Sequence, residues 1–104
     1  MPSDLPTLIA RLREARHELA ERLPEYDHDD FWWIGSDLIE ESTARSILIG
    51  VCAEWCAERA YTIEPWPDQR QWLVRREARV LGLIAGGDYP SALVEAVIGE
   101  HDAA

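Results

Sequence analysis

A chain of 104 residues fits one domain, long enough for a modest core and too short for two independent ones. Hydrophobic residues make up 47% of it, five of them tryptophan, so enough apolar surface is available to offset the entropy of ordering, and whole-chain disorder is excluded. Twenty Asp and Glu against ten arginines give a net charge of −10, which speaks against direct contact with phosphate backbones and for a basic partner.

The first element is an amphipathic helix. Leu5, Leu8, Ile9, Leu12, Ala15, Leu19 and Leu23 recur at three-and-four spacing, with Ser3 or Asp4 as cap, Pro6 in the first turn and Pro24 as the stop. Its polar side alternates Arg and Glu, which suits a solvated face.

Residues 25 to 41 follow, with seven carboxylates, four aromatic rings and no cation in seventeen positions. The spacing predicts a connection with at most one short fifth helical turn, capped by Asp29 or Asp30 over Phe31 to Ile34. Gly35-Ser36 offers a break, and a second helix runs from Ser36 or from Glu41 to about Tyr61. Ile47, Leu48, Val51, Cys52 and Trp55 form its apolar stripe, and Ser46, Gly50, Ala53, Ala57 and Ala60 a stripe of small residues. Glycine inside a helix costs about 1 kcal/mol relative to alanine, so Gly50 implies a second helix packed close to this central one.

Glu64-Pro65-Trp66-Pro67-Asp68 is a rigid connection, after which Asp68 caps a third helix from about Gln69 to Ala85. Trp72, Leu73, Val80, Leu83 and Ile84 would face inward, with Arg70, Arg75, Arg76 and Arg79 outward as a cationic face for a dimer or an intramolecular contact. Gly86-Gly87 ends it, and Asp88 caps a last helix with Pro90 in its first turn and Leu93, Val94, Val97 and Ile98 buried. Gly87-Asp88-Tyr89-Pro90-Ser91-Ala92 resembles the turn between paired helices of tetratricopeptide repeats. Val80 and Ala96 depart from that pattern, so the resemblance implies a helix-hairpin turn only. With no long polar–apolar alternation, the expected fold is all-α: one domain over 1–104, a compact bundle of four main helices with short connections.

Chemistry is sparse. Cys52 and Cys56 share a helical face, but His17, His28 and His101 are scattered, so two buried reduced thiols are expected and no metal is assigned. Asp27, His28, Asp29 and Asp30 are consecutive and do not converge on one point, and no nucleophile motif or phosphate loop accompanies Ser36, Ser42, Ser46, Ser91 or Gly86-Gly87. The expectation is a protein that is not an enzyme and carries no cofactor. No run approaches the roughly 18 apolar residues of a membrane span, and Met1-Pro2-Ser3-Asp4 lacks a basic leader, so a cytoplasmic location is expected.

The acidic stretch is then the candidate binding face. Asp27, Asp29, Asp30, Asp37, Glu40 and Glu41 would supply charge, and Trp32 or Trp33 the apolar anchor. Such a face suits an inhibitor that covers a nucleic-acid-binding surface of its partner, a nuclease or a CRISPR component for instance. In size, charge and expected fold class the chain is similar to phage-encoded antagonists of CRISPR or restriction complexes and to nuclease immunity proteins; no motif identifies either. The rival reading is a structural or regulatory homodimer joined along Gly50 and Cys52.

Overall fold

The computed structural model describes residues 4–27, 29–66, 70–85 and 87–99. Of the residues given roles above, Ser3, His28, Pro67, Asp68, Gln69, Gly86 and His101 lie outside the described residues. The chain runs through helix α1 (Leu5–Ala15), a 3-10 helix (His17–Arg22), strands β1 (Glu25–Tyr26), β2 (Trp32–Ile34) and β3 (Asp37–Ile39), and helix α2 (Glu41–Glu58). Strands β4 (Tyr61–Trp66), β5 (Gln71–Arg76) and β6 (Arg79–Ala85) follow, and then helix α3 (Tyr89–Ile98). The strands form two antiparallel meanders, β1-β2-β3 and β4-β5-β6. The fold is therefore mixed, and the expected all-α bundle of four helices is corrected.

Two segments account for the difference. In the acidic stretch, Trp32, Trp33, Ile34 and Leu38, Ile39 are aromatic, β-branched or bulky residues that favour a pleated surface, and the two-residue turn Gly35-Ser36 reverses the chain between Ile34 and its partner Asp37. Gly35 takes φ +61, the sign that such a tight hairpin requires. α2 accordingly begins at Glu41 and not at Ser36.

The expected third helix is the β5–β6 hairpin. Val74, Val80, Ile84 and Trp72 favour strands, and Gly82 would weaken a helix at its middle. The hairpin turns at Glu77-Ala78, between the paired Arg76 and Arg79, with Glu77 at φ 54, a region that glycine or asparagine enters at lower cost. A register shift between Val74 and Arg75 leaves Leu81 as the extra residue of a bulge. Gly87 and Asp88 join a strand to α3 and not helix to helix, so the helix-hairpin turn is also corrected.

The core is one cluster. α3 is its centre: Ser91, Ala92, Leu93, Val94, Ala96 and Val97 are all buried, as expected of a helix apolar on nearly every side. α1 presents Leu5, Leu8, Ile9 and Leu12, while α2 presents Leu48, Val51, Cys52 and Trp55. Tyr61, Val74 and Ile84 close the core from the second sheet. Arg16 ends α1 with φ −133, donates from Nε to the Val97 carbonyl at 3.0 Å, and stacks with Arg59 on Trp55, at 5.3 Å and 3.6 Å from the ring centroid.

α2 is thus not the central helix. Gly50 is exposed and an added Cβ would meet nothing within 4 Å, so close helix packing does not explain it.

Two outcomes are expected. Glu77→Gly removes left-handed strain and raises the unfolding free energy by about 0.5 kcal/mol after the entropic cost of glycine, read as a higher urea midpoint. Asp88 accepts the Ser91 amide at 3.0 Å as the α3 cap. Partial burial works against its charge, but hydrogen bonding from Ser91 outweighs this and holds the carboxyl below its ordinary range. Asp88→Ala should cost about 1 kcal/mol at neutral pH. Because the folded-state value is the lower one, that contribution is present above the unfolded carboxylate range and is lost as pH falls below it and on through the folded-state value. The melting temperatures of wild type and variant should converge in acid.

Candidate functional site

The acidic segment is held in shape by Asp27. Its Oδ1 accepts from the backbone amides of Asp29 (2.9 Å) and Phe31 (3.0 Å), and its Oδ2 accepts from Trp33 Nε1 at 2.7 Å. The Asp27 amide donates to the Phe31 carbonyl at 3.0 Å, and Asp30 sits at φ 67. Asp27 is therefore a structural clamp, and its charge is directed into its own loop rather than toward a partner. A carboxylate bonded to main-chain amides at this range fixes a loop more firmly than a neutral acceptor would.

Strand alternation then sorts the rings. Trp32 points inward, buried in the core, where its ring lies 4.6 Å from that of Tyr26. Trp33 is half-buried with its N–H taken by Asp27. Neither tryptophan is the exposed anchor. That position belongs to Phe31, 51% exposed, with Leu38, 57% exposed, opposite Trp33 on the other side of the sheet. Leu38 was legible in principle, because a two-residue period and its pairing with Trp33 place it on the opposite side from Trp32, whereas Phe31 precedes the strand and the period does not place it.

Between the β1–β2 connection and the start of α2 lies a groove of about 360 Å³, lined by Tyr26, Asp30, Phe31, Ile39, Glu40 and Glu41 over the edge of Trp32. The Tyr26 hydroxyl donates to Asp30 Oδ1 at 2.7 Å, and this bond, with lesser help from desolvation and neighbouring carboxylates, raises its pKa above the ordinary phenol value. Asp29 and Asp37 are exposed on the same segment without lining the groove, Asp37 at the turn end of the β2–β3 hairpin. Among the described residues, the ion pairs Arg11–Glu95, Arg22–Glu54, Arg59–Glu58 and Arg75–Glu64 all lie elsewhere, so Asp29, Asp30, Asp37, Glu40 and Glu41 face solvent without a cation of this chain. The groove offers an aromatic wall and a carboxylate rim, the combination that receives a guanidinium or ammonium group.

The other expected constellations are dispersed. Arg70, Arg75, Arg76 and Arg79 do not share a helical face. Arg75 reaches Glu64 at 3.5 Å on the outer side of the second sheet, whereas Arg76 donates from Nε to the Arg59 carbonyl at 3.0 Å and lies 5.1 Å from the Tyr61 ring centroid. Arg70 and Arg79 are exposed near opposite ends of β5 and β6.

Gly50 and Cys52, two positions apart on a helix, point to opposite sides: Cys52 is in the core and Gly50 in solvent. They cannot form one dimer stripe. Among the described residues no group of three or more His, Cys, Asp or Glu converges as a metal site, and no helix is long and apolar enough to cross a membrane. The sequence matches no family model, no curated protein and no solved structure.

Burial pushes the Cys52 thiol up to about 12, with the neighbouring Cys56 adding to it, and burial pushes Cys56 up to about 11 against the lowering effect of Arg59. Since the thiolate is the nucleophile, neither cysteine should react with a thiol-exchange reagent at pH 8 in the folded protein, and both should react at once in denaturant. Stoichiometric labelling of the native chain would contradict this.

Proposed function

We propose that this chain is a binding protein whose acidic groove engages a basic surface of a protein partner, in competition with the nucleic acid that such a surface would otherwise hold. The observation that carries the reading is Phe31: a large ring half in solvent, ringed by Asp30, Glu40 and Glu41, on a loop that Asp27 has already ordered. A preordered loop loses little entropy on binding, and a ring amid carboxylates supplies apolar contact and charge at one point.

The groove charge adds to a field of net −10, which speeds encounter with a cationic surface and repels free polynucleotide. Asp29, Asp30, Asp37, Glu40 and Glu41 remain the charged members of the proposed face, Asp27 is taken up by its own loop, and Phe31 replaces Trp32 and Trp33 as its anchor. The likeness to antagonists of CRISPR or restriction complexes and to nuclease immunity proteins now rests on size and charge alone, since the helical class has fallen away.

A fluorescent arginine-rich peptide is the simplest probe. Its anisotropy should rise with added protein at low ionic strength and fall steeply as salt is raised. Asp30→Arg combined with Glu40→Arg should abolish the signal, and Phe31→Ala should weaken binding about tenfold, or 1.4 kcal/mol. Equal binding by the charge-reversed variant would sink the proposal. As an internal control, Glu18→Arg, a reversal on the distant 3-10 helix, should have a much smaller effect.

A further inference from the structure

The β4–β5–β6 sheet has two apolar faces and one cover. Its inner side sends Tyr61, Ile63, Val74 and Ile84 into the core beneath α2 and α3. An antiparallel sheet covered on one side ordinarily turns polar residues to the other. Here the register puts Glu64, Leu73 and Leu83 in one outward row, Thr62, Arg75 and Val80 in the next, and Trp66 and Gln71 at the end, so large apolar side chains stand among a few polar ones. Val80 is 53% exposed, Leu83 47% and Trp66 38%, and with Leu73 they line a shallow hollow of about 430 Å³. A sheet with large apolar side chains on both sides suits the middle of a three-layer arrangement, and the described residues of this chain supply only two layers.

We propose that the third layer is a second copy of this chain, seated face to face on the same sheet about a twofold axis. Charge selects this occupant. Among the described residues the outward face carries one carboxylate and one guanidinium, Glu64 and Arg75, already 3.5 Å apart, so their charges cancel there within a chain of net charge −10. Elsewhere two copies repel; here each can exchange partners, Arg75 of one copy meeting Glu64 of the other, as a self-complementary twofold contact requires.

Arg75 Nε is buried without an acceptor among the described residues, and it is the Nη2 end of the guanidinium, facing Glu64 at the surface, that would make the exchange. Face-to-face sheets pack about 10 Å apart, so the product is a six-stranded sandwich with Trp66, Leu73, Val80 and Leu83 at its centre. Three strands of about six residues span roughly 14 Å by 20 Å, a footprint of about 280 Å² per copy and well below that of a standard specific interface, so the dimer is weak and concentration-dependent. This face is separate from the acidic groove, and its test does not depend on that site.

Sedimentation velocity of the full chain over a concentration series should show a monomer–dimer equilibrium. Leu83→Glu and Val80→Glu should each raise the dissociation constant at least tenfold while circular dichroism and melting temperature stay near wild type, because both side chains are half in solvent. Phe31→Ala, in the acidic groove, should leave the dimer intact. Glu64→Arg and Arg75→Glu should each be monomeric alone and form a mixed dimer when combined. A chain that stays monomeric at the highest attainable concentration would overturn the proposal. So would a dimer indifferent to Leu83→Glu, or one whose hydrogen-exchange protection maps to the exposed side of α2.

Discussion

The enclosure of α3 is the constraint on which the fold rests. A helix whose Ala92, Leu93, Val94, Ala96 and Val97 are all buried has no side to give to water, so α1, α2 and the second sheet must all reach it. α1 is tied to it by Arg11–Glu95 and by Arg16 on the Val97 carbonyl. The surrounding helices can then be ordinarily amphipathic, and α2 can leave Gly50 in solvent. The second sheet is positioned as a wall of this enclosure, which is why its outward residues end up on the surface together.

The first sheet has a different role. It is short, and Trp32, backed by Ile39, is the root that fastens it beneath α2. With that ring buried and Asp27 closing the connecting loop, the segment can hold Phe31 and a row of carboxylates outward without collapsing onto the core. Mutual repulsion of those carboxylates costs stability, and the buried root offsets it. Concentrated charge on a small, firmly anchored hairpin is an arrangement with little purpose in folding itself, and this is the physical basis for reading it as a binding face.

Much of the helical part could be read from the sequence. Leu5, Leu8, Ile9 and Leu12, the stripe from Leu48 to Trp55, and the Asp88-Tyr89-Pro90 start of α3 follow local rules of spacing and capping. The strands were missed for specific reasons. In β5–β6 the apolar residues on both faces erase the alternation by which a half-exposed strand is recognised, and Glu77-Ala78 is not a turn sequence that advertises itself. In β2–β3 the signal was present, because Gly35-Ser36 between two short apolar runs is a hairpin signature, but the dense carboxylates around it suggested helix caps instead. The acidic segment could be singled out from its composition, but not which of its rings reaches solvent: the pairing of Trp32 with Tyr26 and Ile39 turns it into the core, and Phe31, just before the strand, stays out.

Both sheets are meanders, in which every strand pairs with its neighbour in the chain. Such pairings close short loops and need nothing distant, so each hairpin can form as soon as its own residues are available. The contact between Arg16 and Val97 spans 81 positions and belongs to the opposite regime. α1, α2 and the two meanders all precede in the chain the helix they enclose. Any folding intermediate that has not yet docked residues 89–98 therefore holds local structure around an unfilled centre, with Leu8, Leu12 and Leu48 left uncovered.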